Sequence, residues 1–240
     1  ESAIRYAVIV RPDRLFFGAG GTELNSLIQQ TDDDGGITDA GSQQLSSRLR
    51  SLMDGGSDDG GRVVVLGEIT VLHLSYEPAH PFEETQANTP LFFQLVDEAA
   101  AFDVAIDLHM DAVSTSMAMP VFFVDASVNN PAQLAPNIAG LEALLAHNRN
   151  TRIVLAHVGR DTTGQMTPQL MRSLLAAHSN LYGQIAPQYG PLKTETAIVD
   201  QQGTIRSDWL TLISDYPTRF VLGTDTFYKG TSSDGTVLNM

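Results

Sequence analysis

The chain alternates between short apolar runs and longer segments in which apolar residues recur every three or four positions. Most of the apolar runs are continuous rather than alternating, which is typical of parallel strands buried on both faces. These runs predict strands at 6–10, 15–18, 63–69, 104–109, 153–157, 181–185 and 220–224. The first two are too close together to hold a helix between them, so they could also form a hairpin or two adjacent strands.

The segments between the runs predict amphipathic helices, because their apolar residues form stripes at helical spacing. The stripes are Leu45, Leu49, Leu52 and Met53; Phe92, Leu95, Val96 and Ala99; Leu134, Ile138, Leu141 and Leu145; Met171, Leu174, Leu175 and His178; and Trp209, Leu212, Ile213 and Tyr216. Thr89 and Thr167 each precede a proline, which predicts an N-cap followed by proline at the first helical position. Ser207 is predicted to cap the last helix. The acidic, glycine-rich stretches 32–36 and 54–61 are interpreted as surface loops.

Repeated strand–helix units indicate an α/β fold. Two architectures fit the pattern, an open doubly wound sheet and a closed (β/α)8 barrel. Neither a linker nor an internal repeat interrupts the chain, so residues 1–240 are interpreted as one domain.

The amino-acid composition excludes several classes of protein function. The chain of 240 residues has no cysteine, which excludes a disulfide scaffold, a thiolate zinc site and a cysteine nucleophile. The net charge of −14 argues against a nucleic-acid partner, which would need a basic surface. No apolar run reaches the ~20 residues that span a bilayer, so no membrane partner is expected. Cytoplasmic and periplasmic locations are both compatible with this composition, as is a homo-oligomer.

Four polar residues follow predicted strands directly. Glu68, His109, His157 and Asp225 each come at the end of a different apolar run. The carboxyl ends of parallel strands meet on one face of an α/β fold, where active sites form. Two imidazoles and two carboxylates are donors that Zn²⁺, Mn²⁺ or Fe²⁺ would accept. A single histidine in such a place is more often structural, but four such residues in succession favour a metal site.

The motifs around these residues resemble the amidohydrolase superfamily of metal-dependent hydrolases. AIDLH at 105–109, AHVG at 156–159 and GTD at 223–225 are similar, in this order, to motifs of its amidohydrolase-2 branch, which includes decarboxylases and lactonases. VLGEI at 65–69 resembles a Gly-Glu motif of related branches, in which the glutamate is a metal ligand. The resemblance covers residues 60 to 228. It implies a TIM-like (β/α)8 barrel.

The resemblance also implies roles for the four residues. His109 would be a metal ligand, and Asp225 would bind the metal and act as general base. His157 would be a second ligand or a catalytic histidine, and Glu68 a ligand or a carboxylate behind the ligands. The family's His-x-His motif is absent from this sequence. Either the first strand lies upstream of Glu1, so that the first strand and last helix of the barrel are missing from this chain, or the motif has been lost.

Other residues are candidates for binding substrate or supporting a ligand. Arg160 follows AHVG and could bind a substrate carboxylate through two hydrogen bonds, although it is equally compatible with a surface role. His73 could reach the same pocket, but a solvated loop position is favoured for it. Asp107 and Asp111 flank His109, and either could hydrogen-bond its imidazole. Trp209 is interpreted as a core residue.

These observations together predict a metal-dependent hydrolase. Its metal-activated water would cleave an ester, lactone or amide of a small organic acid, or a related site would decarboxylate such an acid. The expected cofactor is a divalent metal ion, with Zn²⁺ ahead of Mn²⁺ or Fe²⁺, and the expected partner is a small-molecule substrate. Two alternatives remain: a barrel that binds a small ligand without metal, and a nucleotide-binding domain that uses the glycine-rich stretch Gly18–Gly21.

Overall fold

The computed structural model describes residues 14, 16–29, 38–58, 63–186, 196–223, 229–231 and 237–239. Its centre is a seven-stranded, mostly parallel sheet. Six strands pair in the order in which they occur along the chain: β1 (Phe17–Gly20), β2 (Val63–His73), β4 (Ala105–Met110), β7 (Ile153–Leu155), β8 (Leu181–Ile185) and β9 (Phe220–Leu222). The short strand β3 (Glu83–Glu84) pairs antiparallel with the end of β2. The predicted α/β class with parallel strands is confirmed, and β1 and β9 are the two edges of the described sheet.

Helices connect these strands. They are α1 (Gly21–Ile28), α2 (Asp39–Asp58), α3 (Pro90–Phe102), α4 (Val121–Ala126), α5 (Ile138–His147), α6 (Pro168–Ala177) and α7 (Ser207–Asp215). Both predicted threonine caps are confirmed, since Thr89 Oγ1 accepts from Phe92 N at 3.4 Å and Thr167 Oγ1 accepts from Leu170 N at 3.1 Å. Among the described residues, none of the helices has the length and apolarity needed to cross a membrane.

Some predicted boundaries are wrong. Helix α2 continues to Asp58 through the stretch interpreted as a loop from residue 54. Leu134 lies in a short strand rather than in α5, and Arg206 rather than Ser207 occupies the N-cap of α7. The predicted strand at 6–10 lies outside the described residues.

An excursion between β4 and α5 was not predicted. It contains the short antiparallel pair β5 (Met117–Ala118) and β6 (Gln133–Leu134), with α4 between them. Its buried side chains form a second hydrophobic cluster with the end of β2, made of Leu72, Leu74, Val113, Met119, Phe123 and Leu134. The excursion is therefore packed at the carboxyl end of β2 and β4.

The main core lies between the sheet and its helices. Strand β4 shows how it is divided, because Ile106, Leu108 and Met110 are buried while the alternate residues are partly exposed. The alternate set includes His109, so the polar side chains of β4 lie on the face opposite the helices. Trp209 is fully buried in the core, as predicted, and its indole N–H donates to Thr196 O at 2.7 Å.

The two strands β10 (Lys229–Thr231) and β11 (Val237–Asn239) form a separate antiparallel pair. They follow β9 in the chain.

Candidate metal centre

Three side chains, two from strands and one from the turn after a third strand, converge on one point. Glu68, His109 and His157 each offer one ligand atom, and these atoms lie within 4.8 Å of one another. Glu68 Oε1 is 3.0 Å from His157 Nε2 and is also in contact with His109 Nδ1. The two imidazole side chains are only 11% and 9% exposed, whereas that of Glu68 is 35% exposed. The cluster is thus largely enclosed and open on the carboxylate side.

An irregularity in β2 brings Glu68 to this cluster. Leu66 pairs with Ile106 and Ile69 with Leu108, so three steps along β2 match two steps along β4. Such a bulge reverses which face the following side chains occupy. Leu66 and Ile69 consequently both face the core, and Glu68 lies on the face of His109.

Helix α1 holds the backbone of Glu68 in place. Asn25 donates to Glu68 O at 2.9 Å and accepts from Thr70 N at 2.8 Å. Gln29, one turn later, donates to Thr70 O at 3.0 Å. Sequence reasoning missed Asn25, because a single polar residue in a short helix carries no pattern that points to a strand 43 residues away.

His109 lies between two carboxylates. Its Nδ1 contacts Glu68, and its Nε2 is 3.7 Å from Asp111 Oδ2. A carboxylate beside the outer nitrogen of a ligand histidine fixes the orientation of the ring. Of the two aspartates predicted to support His109, Asp111 is the one placed to do so.

The backbone of His157 adopts an unusual conformation. Its φ of +38° lies in the left-handed region, which is uncommon for a residue with a side chain. The peptide on either side is held, since His157 N donates to Gln184 Oε1 at 3.2 Å and His157 O accepts from Arg160 N at 2.8 Å. The turn after β7 therefore directs the imidazole of His157 toward Glu68.

The surroundings of Glu68 and His109 shift the pKa of each. Burial alone would raise the pKa of Glu68, but hydrogen bonds to His109 and His157 outweigh it and hold the pKa well below the usual range. Burial alone would lower the pKa of His109, but Asp111 and Glu68 raise it to about 9. Without a metal ion, a proton on His109 therefore compensates the carboxylate charge.

Asp107 lies on the same strand face as His109, and the described residues give its carboxyl no hydrogen bond like those of Glu68. Burial and the charge of Glu68 raise the pKa of its carboxyl to about 6. Its Oδ1 is buried without a hydrogen bond to any of the described residues, and a Cβ at Gly67 would lie 2.7 Å from the Asp107 Cβ. Asp107 thus adds negative charge close behind the cluster.

The two residues predicted to bind substrate both lie near His109. The His73 ring centroid is 4.3 Å from that of His109, and burial lowers the pKa of His73 to about 3, so this imidazole is neutral. Arg160 lines a small cavity together with His109, Asp111 and His157. Both residues are near the cluster, and their role in binding substrate stays a prediction.

The fourth predicted ligand, Asp225, lies outside the described residues. Strand β9 ends at Leu222, three positions before it. The structure therefore brings three of the four predicted residues together, and the role of Asp225 stays a prediction.

The glycines of the Gly18–Gly21 stretch are explained by packing. A Cβ at Gly21 would lie 2.9 Å from Glu68 N, and a Cβ at Gly18 would lie 3.1 Å from a methyl of Val65. Gly20 has a φ of +91°, which favours glycine. These glycines let β1 and α1 approach β2 closely, and this accounts for them without a bound nucleotide.

The donor set fits a divalent metal ion. Two imidazole nitrogens and one carboxylate oxygen are the protein ligands of many catalytic zinc sites, and the same set occurs in non-haem iron sites. The present cluster has this composition, is largely buried, and has a carboxylate behind His109. The Glu68, His109 and His157 group could therefore hold a metal ion.

Comparisons with known proteins find some solved structures that are similar to this chain, at low sequence identity. No family model matches the sequence. No curated protein matches it either. Among solved structures, amidohydrolase 2 from Bifidobacterium longum subsp. infantis is 12% identical over 74% of this chain and 59% of that one, with a TM-score of 0.36.

Two further structures are similar. Dihydroorotase from Campylobacter jejuni is 14% identical over 79% of this chain and 49% of that one, with a TM-score of 0.41. A 2,6-dihydroxybenzoate decarboxylase, solved with 2,6-dihydroxybenzoate, is 14% identical over 93% of this chain and 64% of that one, with a TM-score of 0.44. The chain spans between about half and two thirds of the length of these structures.

Proposed function

We propose that this protein is a metal-dependent hydrolase that cleaves an ester, lactone or amide of a small organic acid. The observation that carries the proposal is the convergence of Glu68 in β2, His109 in β4 and His157 in the turn after β7, whose ligand atoms lie within 4.8 Å of one another. Three protein ligands leave room for a water and a substrate, which is typical of catalytic rather than structural zinc sites. A related decarboxylation would use the same groups.

Different residues of the chain would hold the metal and accept the proton. Glu68 Oε1, His109 Nδ1 and His157 Nε2 would hold a divalent ion, Zn²⁺ or else Mn²⁺ or Fe²⁺. When bound, this ion supplies an activated water and polarises the substrate carbonyl. Asp225, as the resemblance implies, would accept the proton of the water at its carboxylate.

The position of Arg160 favours a substrate that carries a carboxylate. It lines the cavity that His109 and His157 also line, and a guanidinium there can bind a carboxylate through two parallel hydrogen bonds. The neutral imidazole of His73 would contact the substrate without adding charge. A small-molecule substrate and no nucleic acid fit the net charge of −14.

The first test is metal content and hydrolysis in one preparation. We expect the purified chain, saturated with Zn²⁺ and freed of excess, to retain about one ion per chain and to hydrolyse members of a panel of esters, lactones and amides. His109→Ala should lose both the ion and the activity. Asp225→Asn should keep its fold but lose activity by about 100-fold or more, because general base catalysis contributes that much.

His147→Ala is the matched control, since His147 lies at the end of α5, away from the cluster, and pairs with Asp97. It should retain metal and activity. A chain that binds no ion at saturating Zn²⁺, Mn²⁺ or Fe²⁺ would refute the proposal and favour a barrel that binds a small ligand without metal.

A further inference from the structure

The loop that follows His157 reaches across to the strand that carries His109. Thr162 Oγ1 donates to Asp111 Oδ1, and Thr163 Oγ1 donates to Ala112 O at 2.6 Å. Gln165 Oε1 accepts from Ser114 N at 2.6 Å. Hydrogen bonds from consecutive residues therefore join the loop after β7 to the segment after β4.

The base of this loop is itself held. Asp161 is buried, and its Oδ1 accepts from the backbone N–H groups of Gly164 at 2.9 Å and Gln165 at 3.2 Å. Its Oδ2 accepts from the Thr196 hydroxyl. A loop built in this way presents Thr162 to Asp111 in one position.

Asp111 is restrained at each of its polar groups. Its backbone N–H donates to Leu72 O at 3.1 Å, and its carbonyl accepts from Asn137 Nδ2 at 2.8 Å. Oδ2 accepts from Leu74 N at 3.3 Å and faces His109 Nε2 at 3.7 Å. The remaining oxygen, Oδ1, is the one that Thr162 binds.

We propose that Thr162 is a positioning residue for the metal centre, acting through Asp111 on the imidazole of His109. This inference rests on the proposed function, because it concerns the same ligand cluster. The hydroxyl of Thr162 sets the rotation of the Asp111 carboxylate, and Oδ2 of that carboxylate in turn orients the His109 ring. The loop that begins at one ligand, His157, thereby controls the geometry of another.

The physical reason is that metal affinity depends on ligand orientation before binding. Groups behind the ligands that fix the ring orientation are worth about 10- to 100-fold in metal affinity. Without the hydroxyl, the Asp111 carboxylate loses the contact at Oδ1 and keeps the one at Oδ2, so its rotation is less restricted, and ordering it again on binding lowers the affinity.

The test compares neighbouring threonines in the full chain. Zn²⁺ affinity is measured by competition with a chromophoric chelator at constant pH, together with the melting temperature of the metal-free protein. Thr162→Val should weaken Zn²⁺ binding about tenfold or more, and Thr162→Ser, which restores the hydroxyl, should recover most of it. Thr163→Val removes a hydroxyl that binds Ala112 O instead, so it should lower the melting temperature with little change in affinity.

A double-mutant cycle tests whether Thr162 acts through Asp111. In an Asp111→Ala background, Thr162→Val should change Zn²⁺ affinity by less than about twofold, because the side chain on which Thr162 acts is gone. Equal effects of Thr162→Val in both backgrounds, or equal losses in the two threonine variants, would overturn the inference while leaving the proposed function intact. A wild-type chain that binds no Zn²⁺ would overturn both.

Discussion

His109 is the residue on which the electrostatics of the site depend. It contacts the carboxylate of Glu68 through one ring nitrogen and faces that of Asp111 through the other. With its pKa raised to about 9, the imidazole is protonated at neutral pH when no metal is bound. A metal ion must displace this proton, because only the neutral imidazole is a ligand.

The proton on His109 predicts how Zn²⁺ affinity depends on pH. Zn²⁺ affinity should rise about tenfold per pH unit up to about pH 9, because one proton competes for His109. Isothermal titration in buffers of different ionisation enthalpy at pH 7 should show about one proton released per ion bound. Affinity that is independent of pH between 7 and 9 would contradict the assignment of that proton to His109.

The same shift predicts how the metal-free protein responds to pH. A raised pKa stabilises the folded state fully below the unfolded value of 6.5, and this stabilisation is lost as pH rises through about 9. Glu68, whose pKa is lowered, stabilises the fold above 4.5 and loses this effect as pH falls below that value. Urea unfolding of metal-free protein should therefore show lower stability at pH 9 than at pH 6.5, and His109→Gln should reduce this difference whereas His147→Gln should not.

At the level of elements, the site depends on how α1 and β2 pack. Helix α1 begins directly after β1 and lies so close to β2 that a Cβ at Gly21 would lie 2.9 Å from the backbone nitrogen of Glu68. The same helix supplies Asn25, which binds the backbone at Glu68 and Thr70. The packing of α1 against β2 thus also fixes the position of Glu68.

Two glycine substitutions test this close approach. Gly21→Ala should destabilise the protein by about 1–3 kcal/mol, the usual cost of overpacking, and should weaken Zn²⁺ binding because it displaces Glu68. Gly41→Ala is the matched control, since its Cβ would be 3.5 Å from the nearest side-chain atom and Gly41 lies in the first turn of α2. It should stabilise by up to about 1 kcal/mol, as alanine does in a helix. Chemical denaturation measures both, and equal effects would contradict the packing argument.

At the level of the whole molecule, the ligands tie distant parts of the chain together. Glu68, His109 and His157 come from β2, from β4 and from the turn after β7, three neighbouring strands of one sheet. An ion held by all three binds the folded state and not the unfolded one, so it stabilises the fold by mass action.

Metal removal should therefore lower the stability of the entire sheet. Zn²⁺ at about 100 times its dissociation constant should add about 2.7 kcal/mol to the free energy of unfolding, and a chelator should remove it. Differential scanning calorimetry measures the shift in melting temperature. His157→Ala should abolish the Zn²⁺ effect, and a full effect in that variant would show that the ion binds elsewhere.

Much of the fold and of the site could be predicted from local patterns. The strand at 181–185 matches β8, and both threonine caps begin their helices where expected. Three predicted ligands converge because strand ends in a parallel sheet share one edge. The excursion after β4 was missed, since its short strands and helix bury their apolar residues against distant parts of the chain.

The sequence by itself determined the α/β class, the succession of strands and helices along the chain and the residue types available to a metal, because these follow from apolar periodicity and composition. Only the tertiary structure decided which carboxylate supports His109, since Asp107 and Asp111 flank it equally in the chain and only Asp111 faces its Nε2. The tertiary structure also placed Glu68, through a bulge in β2 that alternation along the strand does not indicate. Both outcomes depend on packing between segments more than 40 residues apart, as the contacts of Glu68 with His109 and of Asp111 with Thr162 show.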